Sequence, residues 1–304
     1  MSSSQPQLTC TQNFLRDPRL VRYLLNASTI GPSDLVYEIG PGKGAITTAL
    51  ARRCARLIAV EKDPCLAQRL KSRLTGVGNV EVLEADFLDV PLPDSRYKLF
   101  ANVPFNITAA VVSKLDSTCR PPEDSYLVVQ REAAERFLGK PVGTLYAALL
   151  HPHLEPSVLY RFFRSDFTPI PGVDVVMLRL AKRGPPLVPH ALQQDYRDFV
   201  TYCFTSRHRT LRGTMVDLLG SHLANQILSP LGLGRDLSPS EIPVEQWLIL
   251  WGGFHLLSGT RARRQVEGAE RRLRQQQERL SKMHRTRSTR RRRFEGNRPA
   301  DIAL

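Results

Sequence analysis

Short apolar runs alternate with amphipathic segments from residue 35 to residue 180 of the chain. Parallel strands that are buried on both faces read as continuous apolar runs, so these runs predict a mainly parallel sheet. The predicted strands are Val36–Ile39, Leu57–Val60, Val80–Leu83, Leu99–Ala101, Tyr126–Val129 and Val173–Leu180. The predicted helices are Ile46–Arg53, Pro64–Leu74, Ala109–Leu115 and Glu132–Leu138. Together they predict a doubly wound α/β domain.

The pattern changes after a charged and proline-rich link at Lys182–Pro186. The segments that follow have helical spacing and no convincing strands, which predicts a small all-α domain. These segments are Asp195–Thr205, Leu211–Leu219, His222–Leu228 and Val244–Leu257. We therefore expect a sheet domain over residues 1–183 and a helical domain over residues 184–260.

Residues 261–304 form a third, strongly basic segment. They contain 15 Lys and Arg against 5 Asp and Glu, in a chain whose net charge is +14. Val266, Leu273 and Leu280 lie seven residues apart, and such a thin apolar stripe does not predict a core. We expect an Arg-rich tail that is disordered or becomes helical only on its partner. The charge favours a nucleic acid as partner, and less strongly an acidic membrane face.

The composition, with 42% hydrophobic and 24% charged residues, is typical of a soluble globular protein. No run approaches the roughly 20 apolar residues of a membrane span, and residues 1–10 lack a basic-then-apolar secretory pattern. The five cysteines are odd in number and widely spaced, which predicts reduced thiols and no metal site. We expect a cytoplasmic monomer that binds no membrane.

A glycine-rich turn, Glu38–Gly44, follows the first predicted strand and precedes a helix. Open α/β sheets bind nucleotides at this position, and glycines let the backbone approach a ligand closely. The spacing differs from Gly-x-Gly-x-x-Gly, and Lys43 is followed by Gly44 rather than by Ser or Thr. A dinucleotide cradle and a Walker phosphate loop are therefore both disfavoured.

Carboxylates end the next two predicted strands. Glu61 lies 19 residues after Gly42, where a carboxylate can accept both hydroxyls of a ribose. Asp86 could accept from an adenine amine while Phe87 or Leu88 covers the ring. Either acid alone is also explained as a solvated loop residue, but acids at the ends of three successive strands favour a nucleoside site.

The four residues Asn102-Val103-Pro104-Phe105 follow another predicted strand. The Asn102 side-chain oxygen and the Val103 carbonyl could accept both hydrogens of an exocyclic amine on a flat base, which would make the nitrogen nucleophilic. Phe105 could stack on a base that has been extruded from its helix. Taken alone, the four residues are better explained as a strand that ends at a proline turn with its Phe in the core, so the neighbouring motifs must decide.

Several ordered motifs resemble those of the rRNA adenine dimethyltransferase superfamily. They are Gln12–Leu15, Glu38–Gly42, Glu61, Glu84–Asp86, Asn102–Ile107 and Phe167–Val173. The resemblance covers residues 12–180, and the order and spacing of the set are highly specific. It implies a Rossmann-like S-adenosylmethionine-dependent methyltransferase sheet followed by a small all-α domain.

The resemblance also implies the residues of the site. Those implied for S-adenosylmethionine are Gln12, Asn13, Leu15, Glu38, Gly40, Gly42, Glu61, Lys62, Asp86, Phe87 and Asn102. Those implied for catalysis are Asn102, Val103, Phe105 and Phe167, with the two phenylalanines as opposite faces of a clamp on a flipped adenine. Methyl transfer would be direct, because the sulfonium is already an activated donor.

Two branches of the superfamily compete. One dimethylates adenines near the end of small-subunit (16S) rRNA, and the erythromycin-resistance (Erm) branch modifies an adenine of 23S rRNA. Pro171–Val176, Val129–Phe137 and Val244–Trp247 resemble the Erm branch. We therefore expect mono- or dimethylation of an adenine in 23S rRNA before the ribosome is fully assembled, with macrolide-type resistance as its effect.

Two further classes of protein remain open. A DNA adenine methyltransferase shares the Asn-x-Pro-aromatic turn but usually carries a larger target-reading domain, and a non-catalytic RNA-binding factor could use the same scaffold. For RNA contact, Arg131 and Arg136 are the best candidates in the sheet domain. Arg207, Arg209 and Arg212 form a second candidate patch, which a solvated helix face explains equally well.

Overall fold

The computed structural model describes residues 14–15, 17–118, 120–234, 236–277 and 279. The chain divides after His190 into two compact units. The division lies beyond the predicted link, because the backbone amides of Arg183 and Leu187 still donate to the carbonyls of His153 and Pro152. The first unit thus keeps the link as part of its own hydrogen-bonded structure.

The described strands of the first unit build two sheets. The strands are β1 (Phe14–Leu15), β2 (Leu35–Ile39), β3 (Arg56–Glu61), β4 (Val80–Glu84), β5 (Lys98–Asn102), β6 (Asp124–Gln130), β7 (Leu154–Arg161), β8 (Phe167–Thr168) and β9 (Val175–Lys182). Seven of them form one sheet in the order β4-β3-β2-β5-β6-β9-β7, and β1 pairs with β8. Strands β2, β3, β4, β5 and β6 pair with one another in parallel. Strand β9 runs antiparallel to both of its neighbours, β6 and β7.

Helices cover both faces of the large sheet. They are α1 (Pro18–Asn26), α2 (Ala45–Ala51), α3 (Pro64–Arg73), α4 (Thr108–Asp116), α5 (Arg131–Leu138) and α6 (Leu145–Leu150). Side chains alternate along β5, so that Leu99 and Ala101 join the core under α4, α5 and α6, while Phe100 joins the core under α1 and α2. This arrangement confirms the predicted doubly wound α/β fold.

Strand β7 was missed by the sequence pattern. It is the outermost strand of the sheet, most of its residues keep some exposed surface, and it contains Pro156. Proline lacks an amide donor and occurs within sheets mainly on edge strands, where one side of the backbone needs no partner. An edge strand of this kind produces no continuous apolar run.

The second unit is helical in its described residues, as predicted. Its helices are α7 (Gln193–Thr205), α8 (Leu211–Leu219), α9 (Ser221–Leu228), α10 (Gln246–Leu257) and α11 (Thr260–Val266). Aromatic rings from α7 and α10 form its centre, where the Phe199 ring stacks on Phe254 at 4.8 Å and lies 6.5 Å from Trp247. None of the described helices has the length and apolar character needed to cross a membrane.

The chain continues as packed helix beyond residue 260, where the sequence indicated the start of a tail. Residues 269–277 are helical after α11, and Ala262, Val266 and Ala269 are buried. Glu270 forms a buried ion pair with Arg197 of α7 at 2.6 Å. The sequence prediction considered only the large apolar residues, whereas alanines and one buried ion pair provide much of the contact. Residues 280–304 of the predicted tail lie outside the described residues.

Candidate active site

The predicted polar residues come together because their strands are parallel neighbours. Glu38 lies in β2, Glu61 ends β3, Asp86 follows β4 and Asn102 ends β5. The order β4-β3-β2-β5 places all four at the carboxyl edge of the sheet. Open α/β sheets bind their ligands at this edge, so the structure supports the predicted location of the site.

The glycine turn between β2 and α2 has left-handed backbone at Gly40 (φ 64°) and Gly42 (φ 54°). Residues with a Cβ rarely adopt these angles, so glycine is required at both positions. The Gly40 amide donates to the Val60 carbonyl at 3.0 Å, which ties the turn to β3. The turn therefore has a fixed path past the ends of β2 and β3.

Glu38 is fully buried beneath this turn. Burial raises the pKa of its carboxyl group from the usual 4.5 to about 8, and the charge of Glu61 adds to the rise. Its Oε2 atom is buried and accepts no hydrogen bond from the described residues. Hydrogen bonding from Thr47 opposes this rise without cancelling it, so the carboxyl group of Glu38 is held uncharged at neutral pH.

Glu61 is also buried, and its carboxylate holds two backbone segments. Oε2 accepts from the Gly42 amide and Oε1 from the Asp63 amide, both at 3.0 Å. Each carboxylate oxygen has a second lone pair that remains available for a hydroxyl. Glu61 thus connects the glycine turn to the start of α3, beside the place where we expect a ribose.

Asp86 and Lys62 form an ion pair across neighbouring strand ends. Lys62 Nζ lies 2.6 Å from Asp86 Oδ2, and the Leu88 amide donates to Oδ1 at 3.0 Å. The hydrogen bond from Lys62 is the main reason that the pKa of Asp86 lies below its usual value. Asp86 is therefore ionised and fixed in position, as an acceptor for an adenine amine must be.

Phe87 does not cover a ligand ring in this structure. Its side chain is 3% exposed and belongs to the core between the sheet and α4. Lys114 of α4 holds this segment, because its ammonium lies 5.0 Å above the Phe87 ring and donates to the carbonyls of Phe87 and Leu88 at 2.7 and 2.9 Å. Of the two side chains considered for this role, Leu88 is the one that keeps exposed surface.

The Asn102–Phe105 turn leads from β5 into α4. Asn102 is half-buried and paired in register with Val128, and the buried Val103 donates its amide to the Val128 carbonyl at 3.2 Å. Phe105 is half-buried and begins a short 3-10 turn that ends at Ile107. The amide side chain and the aromatic ring are both partly accessible, as the predicted chemistry requires.

Phe167 does not form the second face of an aromatic clamp in this structure. It is 1% exposed, and its ring packs 5.1 Å from Phe162. The pairing of β8 with β1 places Leu15 beside Phe167, and both side chains belong to the same core. The neighbouring Phe163, by contrast, is 73% exposed. Phe163 directly follows the buried Phe162, and consecutive side chains in an extended chain point to opposite sides. The sequence prediction did not use this signal.

Leu15, predicted to contact the cofactor, is buried in the core with Phe167. Its neighbour Phe14 lies over the glycine turn instead, since a Cβ on Gly42 would be 2.5 Å from the Phe14 ring. Lys43 Nζ lies 5.2 Å from the centre of the same ring. Gln12 and Asn13 lie outside the described residues.

The candidate RNA-binding arginines differ in their surroundings. Arg131 begins α5 and forms ion pairs with Asp174 at 3.3 Å and Glu135 at 3.6 Å, whereas Arg136 is exposed. In the second unit, Arg207 pairs with Asp217 at 3.3 Å. Arg209 is exposed and Arg212 is half-buried.

Comparisons with known proteins show the family of the chain. A family model described as ribosomal RNA adenine dimethylase matches residues 4–250. An rRNA adenine N-6-methyltransferase of Aeromicrobium erythreum is 31% identical, over 82% of this chain and 73% of that protein. Ribosomal RNA small subunit methyltransferase A of Pelotomaculum thermopropionicum is 34% identical, over 69% of this chain and 77% of that protein.

A solved structure, that of the 23S rRNA methyltransferase ErmE, superposes with a TM-score of 0.72 at 29% identity. The match covers 80% of this chain and 100% of that one. The family match, the two relatives and the carboxyl-edge site lead to one conclusion. The chain belongs to the ribosomal RNA adenine dimethylase family of S-adenosylmethionine-dependent methyltransferases.

Proposed function

We propose that this enzyme methylates N6 of an adenine in 23S rRNA and thereby confers resistance to macrolide, lincosamide and streptogramin B antibiotics. The observation that carries the choice of RNA is the similarity to ErmE, which extends over the whole of the ErmE chain. The local motifs at Pro171–Val176 and Val129–Phe137 support the same branch. The enzyme acts as a cytoplasmic monomer on rRNA that is not yet fully assembled.

The residues at the carboxyl edge fit S-adenosylmethionine. Glu61 and Asp86 lie beside a glycine turn with left-handed backbone, and Glu38 is buried beneath that turn. S-adenosylmethionine is cationic at its sulfonium and ammonium groups, which suits the carboxylates of Glu61 and Asp86. Glu61 would hold the ribose, and Asp86 with Leu88 would hold the adenine. The bound cofactor supplies a methyl group that is already activated for transfer.

Asn102 and Val103 orient the target amine for attack on the methyl group. In the proposed mechanism the Asn102 side-chain oxygen and the Val103 carbonyl accept its two hydrogens, which directs the nitrogen lone pair toward the methyl donor. No covalent enzyme intermediate is needed, because alignment of the two reactants supplies most of the acceleration.

Phe105 holds the flipped adenine by stacking. The target base must leave its helix to reach Asn102, and a partly exposed ring beside that residue compensates for lost base stacking. Phe167 supports this arrangement from the apolar core against which Phe105 packs.

The small-subunit rRNA is the alternative target. The Pelotomaculum relative carries that name and has a slightly higher identity to this chain than the Aeromicrobium relative, 34% against 31%. The two targets require the same amine chemistry, so the residues around Asn102 do not distinguish them. A non-catalytic RNA-binding factor is disfavoured, because the amide, the three acids and the glycine turn are all in place.

A methyl-transfer assay tests the proposal. Purified protein and labelled S-adenosylmethionine are incubated with protein-free 23S rRNA, 16S rRNA or DNA, with Asn102→Ala as the control. We expect label in 23S rRNA adenine and its loss in the variant, by a factor on the order of 10²–10³ if one aligning hydrogen bond is removed. Label in 16S rRNA or DNA alone would contradict the choice of target, and an active Asn102→Ala would contradict the mechanism.

A further inference from the structure

A cavity of about 380 Å³ lies between α5 and strands β7 and β9 of the first unit. Arg131, Lys140 and Arg161 bring positive charge to its lining, and Glu135 brings one negative charge. Ala134, Leu138 and the aliphatic residues of β7 and β9 provide apolar walls. The cavity belongs to neither the cofactor site nor the Asn102 turn.

The sheet register relates this cavity to the active-site edge. Asn102 of β5 is paired with Val128 of β6. The next residue of β6, Val129, is paired with Val176 of β9, and Val176 is paired with Arg161 of β7. Arg131 follows Gln130 at the end of β6, so its Cα is about 10 Å from that of Val128 at the usual rise per residue. Lys140 follows the opposite end of α5. The cavity thus leads away from the edge where the target base is expected.

Two of the three cations of the cavity are available to a ligand. Arg131 is fixed by Asp174 and Glu135 at 3.3 and 3.6 Å and keeps 43% of its side chain exposed. Lys140 and Arg161 are exposed and form no ion pair with any residue of the described part of the chain. The carboxylates of Glu132, Glu135 and Asp174 surround Arg131, so Lys140 and Arg161 are the two cations that favour an anionic ligand.

The size and the apolar walls of the cavity suit a ligand larger than a phosphate ion. The side chains of Leu138 and Val158 are only half-buried and line the cavity together with Val176. The volume lies within the range of about 300–1,000 Å³ that holds small organic ligands. Apolar walls next to cations match the two parts of a nucleotide, a flat base and a phosphate.

We propose that this cavity binds one unpaired nucleotide of the substrate RNA, close in sequence to the target adenine. The assignment rests on the proposed function, because it takes RNA as the substrate. Lys140 and Arg161 hold the phosphate, and the base lies against Leu138 and Val158. Glu135 accepts a hydrogen bond from a base amine, which makes the cavity sensitive to the identity of that base. The enzyme thereby recognises an unpaired nucleotide beside its target adenine.

Two variants separate binding within the cavity from attraction to a basic surface. Arg161→Ala removes one phosphate contact, whereas Ser157→Trp fills the cavity and leaves every charge in place. Arg69→Ala is the matched control, since Arg69 is exposed on α3, which packs on β3 and β4 at the other end of the sheet. Dissociation constants for the methyl-accepting RNA fragment are measured without cofactor, so that binding and methyl transfer are determined separately.

We expect both cavity variants to bind the RNA fragment more weakly than the parent protein, with an unchanged KM for S-adenosylmethionine. Arg69→Ala should have the same RNA dissociation constant and the same KM as the parent. Loss of one hydrogen bond from a charged side chain to a phosphate corresponds to about 10- to 150-fold in the dissociation constant. Equal binding by Ser157→Trp and the parent protein would overturn the proposal, because a merely basic surface would tolerate the filled cavity.

Crosslinking of the unchanged protein provides the second measurement, in case Ser157→Trp does not fold. RNA fragments carry one 4-thiouridine at successive positions beside the target adenine and are irradiated with the full chain. Crosslinks to peptides containing residues 131–140 or 154–161 are expected from at least one position. Crosslinks confined to other peptides would overturn the proposal even if the RNA is methylated, and absence of methylation would instead count against the proposed function.

Discussion

Glu38 carries a carboxyl group that the fold buries beneath the glycine turn. Its pKa rises from 4.5 to about 8, so between these values the native state keeps a proton that the unfolded state has released. The contribution of Glu38 to stability is therefore fully present below pH 4.5 and is lost as the pH rises to about 8. The expected slope is about 1.4 kcal/mol per pH unit in this window.

Glu38→Gln removes this dependence. Amide hydrogen exchange in β2 and β5, corrected for the intrinsic effect of pH, measures the stability of the first unit directly. We expect the difference between parent and variant to change steadily from pH 5 to pH 8, with the parent losing stability relative to the variant. A difference that stays constant with pH would show that Glu38 is ionised in the folded protein.

Phe105 and Phe167 were predicted from the sequence to share one role, but the structure gives them different burial. Phe167→Ala should lower the free energy of unfolding by about 3–5 kcal/mol, because it empties a core position. Phe105→Ala should cost little stability but weaken the reaction by a factor of about 5–100 through lost stacking. Chemical denaturation and initial rates on RNA measure the two effects. Equal effects of the two substitutions on stability would contradict the assignment of Phe167 to the core.

At the scale of elements, α4 connects the target turn to the cofactor edge. It begins just after the Asn102–Phe105 turn, and Lys114 on it donates to the carbonyls of Phe87 and Leu88 beside Asp86. Burial lowers the pKa of this ammonium, and the charges of Asp89 and Asp86 oppose the shift. Lys114 therefore acts as a positioning residue for the segment that we expect to hold the adenine of the cofactor.

Lys114→Met should raise the KM for S-adenosylmethionine more than it lowers kcat. The substitution keeps the length of the side chain but removes its hydrogen bonds to the segment that carries Asp86 and Leu88. Steady-state kinetics with saturating RNA separate the two constants, and far-UV circular dichroism checks the fold. An unchanged KM with a reduced kcat would instead place Lys114 in the chemistry of transfer.

Glu270 holds the helical segment 269–277 against α7 in the second unit. Burial raises the pKa of its carboxyl group, but hydrogen bonds and charges from Arg197 and Arg274 outweigh this effect and lower the pKa to about 2. The ion pair thus contributes stability at neutral pH, and this contribution is lost as the pH falls from about 4.5 toward 2. The Asp198 carboxylate adds hydrogen bonds to the amides of Gly268 and Glu270.

Glu270→Ala should destabilise the second unit by about 1–3 kcal/mol, because it removes the buried carboxylate that accepts hydrogen bonds from Arg197. The exposed Glu267→Ala is the control and should change stability by less than about 0.5 kcal/mol. Both tryptophans, Trp247 and Trp251, lie in this unit. Their fluorescence during denaturation reports its unfolding, and equal stabilities of the two variants would contradict the structural role of Glu270.

The sequence predicts strands well where they are buried on both faces of the sheet. Strands β2, β3, β5 and β6 are continuous apolar runs, and each was predicted within a few residues of its bounds. The edge strand β7 and the helices beyond residue 260 were not, since partial exposure and small buried side chains leave no strong pattern. In the site, the strand-end acids were found by their position, whereas the burial of Phe167 depends on its pairing with β1, which no local signal reveals.

At the scale of the whole molecule, the net charge of +14 directs the protein toward RNA. Because residues 261–277 include packed helix, a deletion that tests the basic tail must begin after residue 279 rather than after Thr260. Residues 280–304 contain 8 Lys and Arg against 2 Asp and Glu. We propose that they add phosphate contacts without selecting the methylated base.

Removal of residues 280–304 should make RNA binding less sensitive to salt. For each phosphate that the shortened protein no longer neutralises, the slope of log affinity against log salt falls by about 0.7–0.9. Binding to a 23S rRNA fragment at several salt concentrations measures the slope, and mapping of the methylated adenine shows whether the target changes. An unchanged slope would mean that these residues do not contact the RNA, and a shifted target would mean that they select it.

The central claim concerns the base on which the methyl group is placed. The most direct test maps methylated adenines in the 23S and 16S rRNA of a macrolide-sensitive bacterial host that expresses either the chain or its Asn102→Ala variant. The account predicts one adenine of 23S rRNA that gains N6-methylation with the parent chain and not with the variant. New methylation confined to 16S rRNA, or methylation of 23S rRNA that persists in Asn102→Ala, would contradict it.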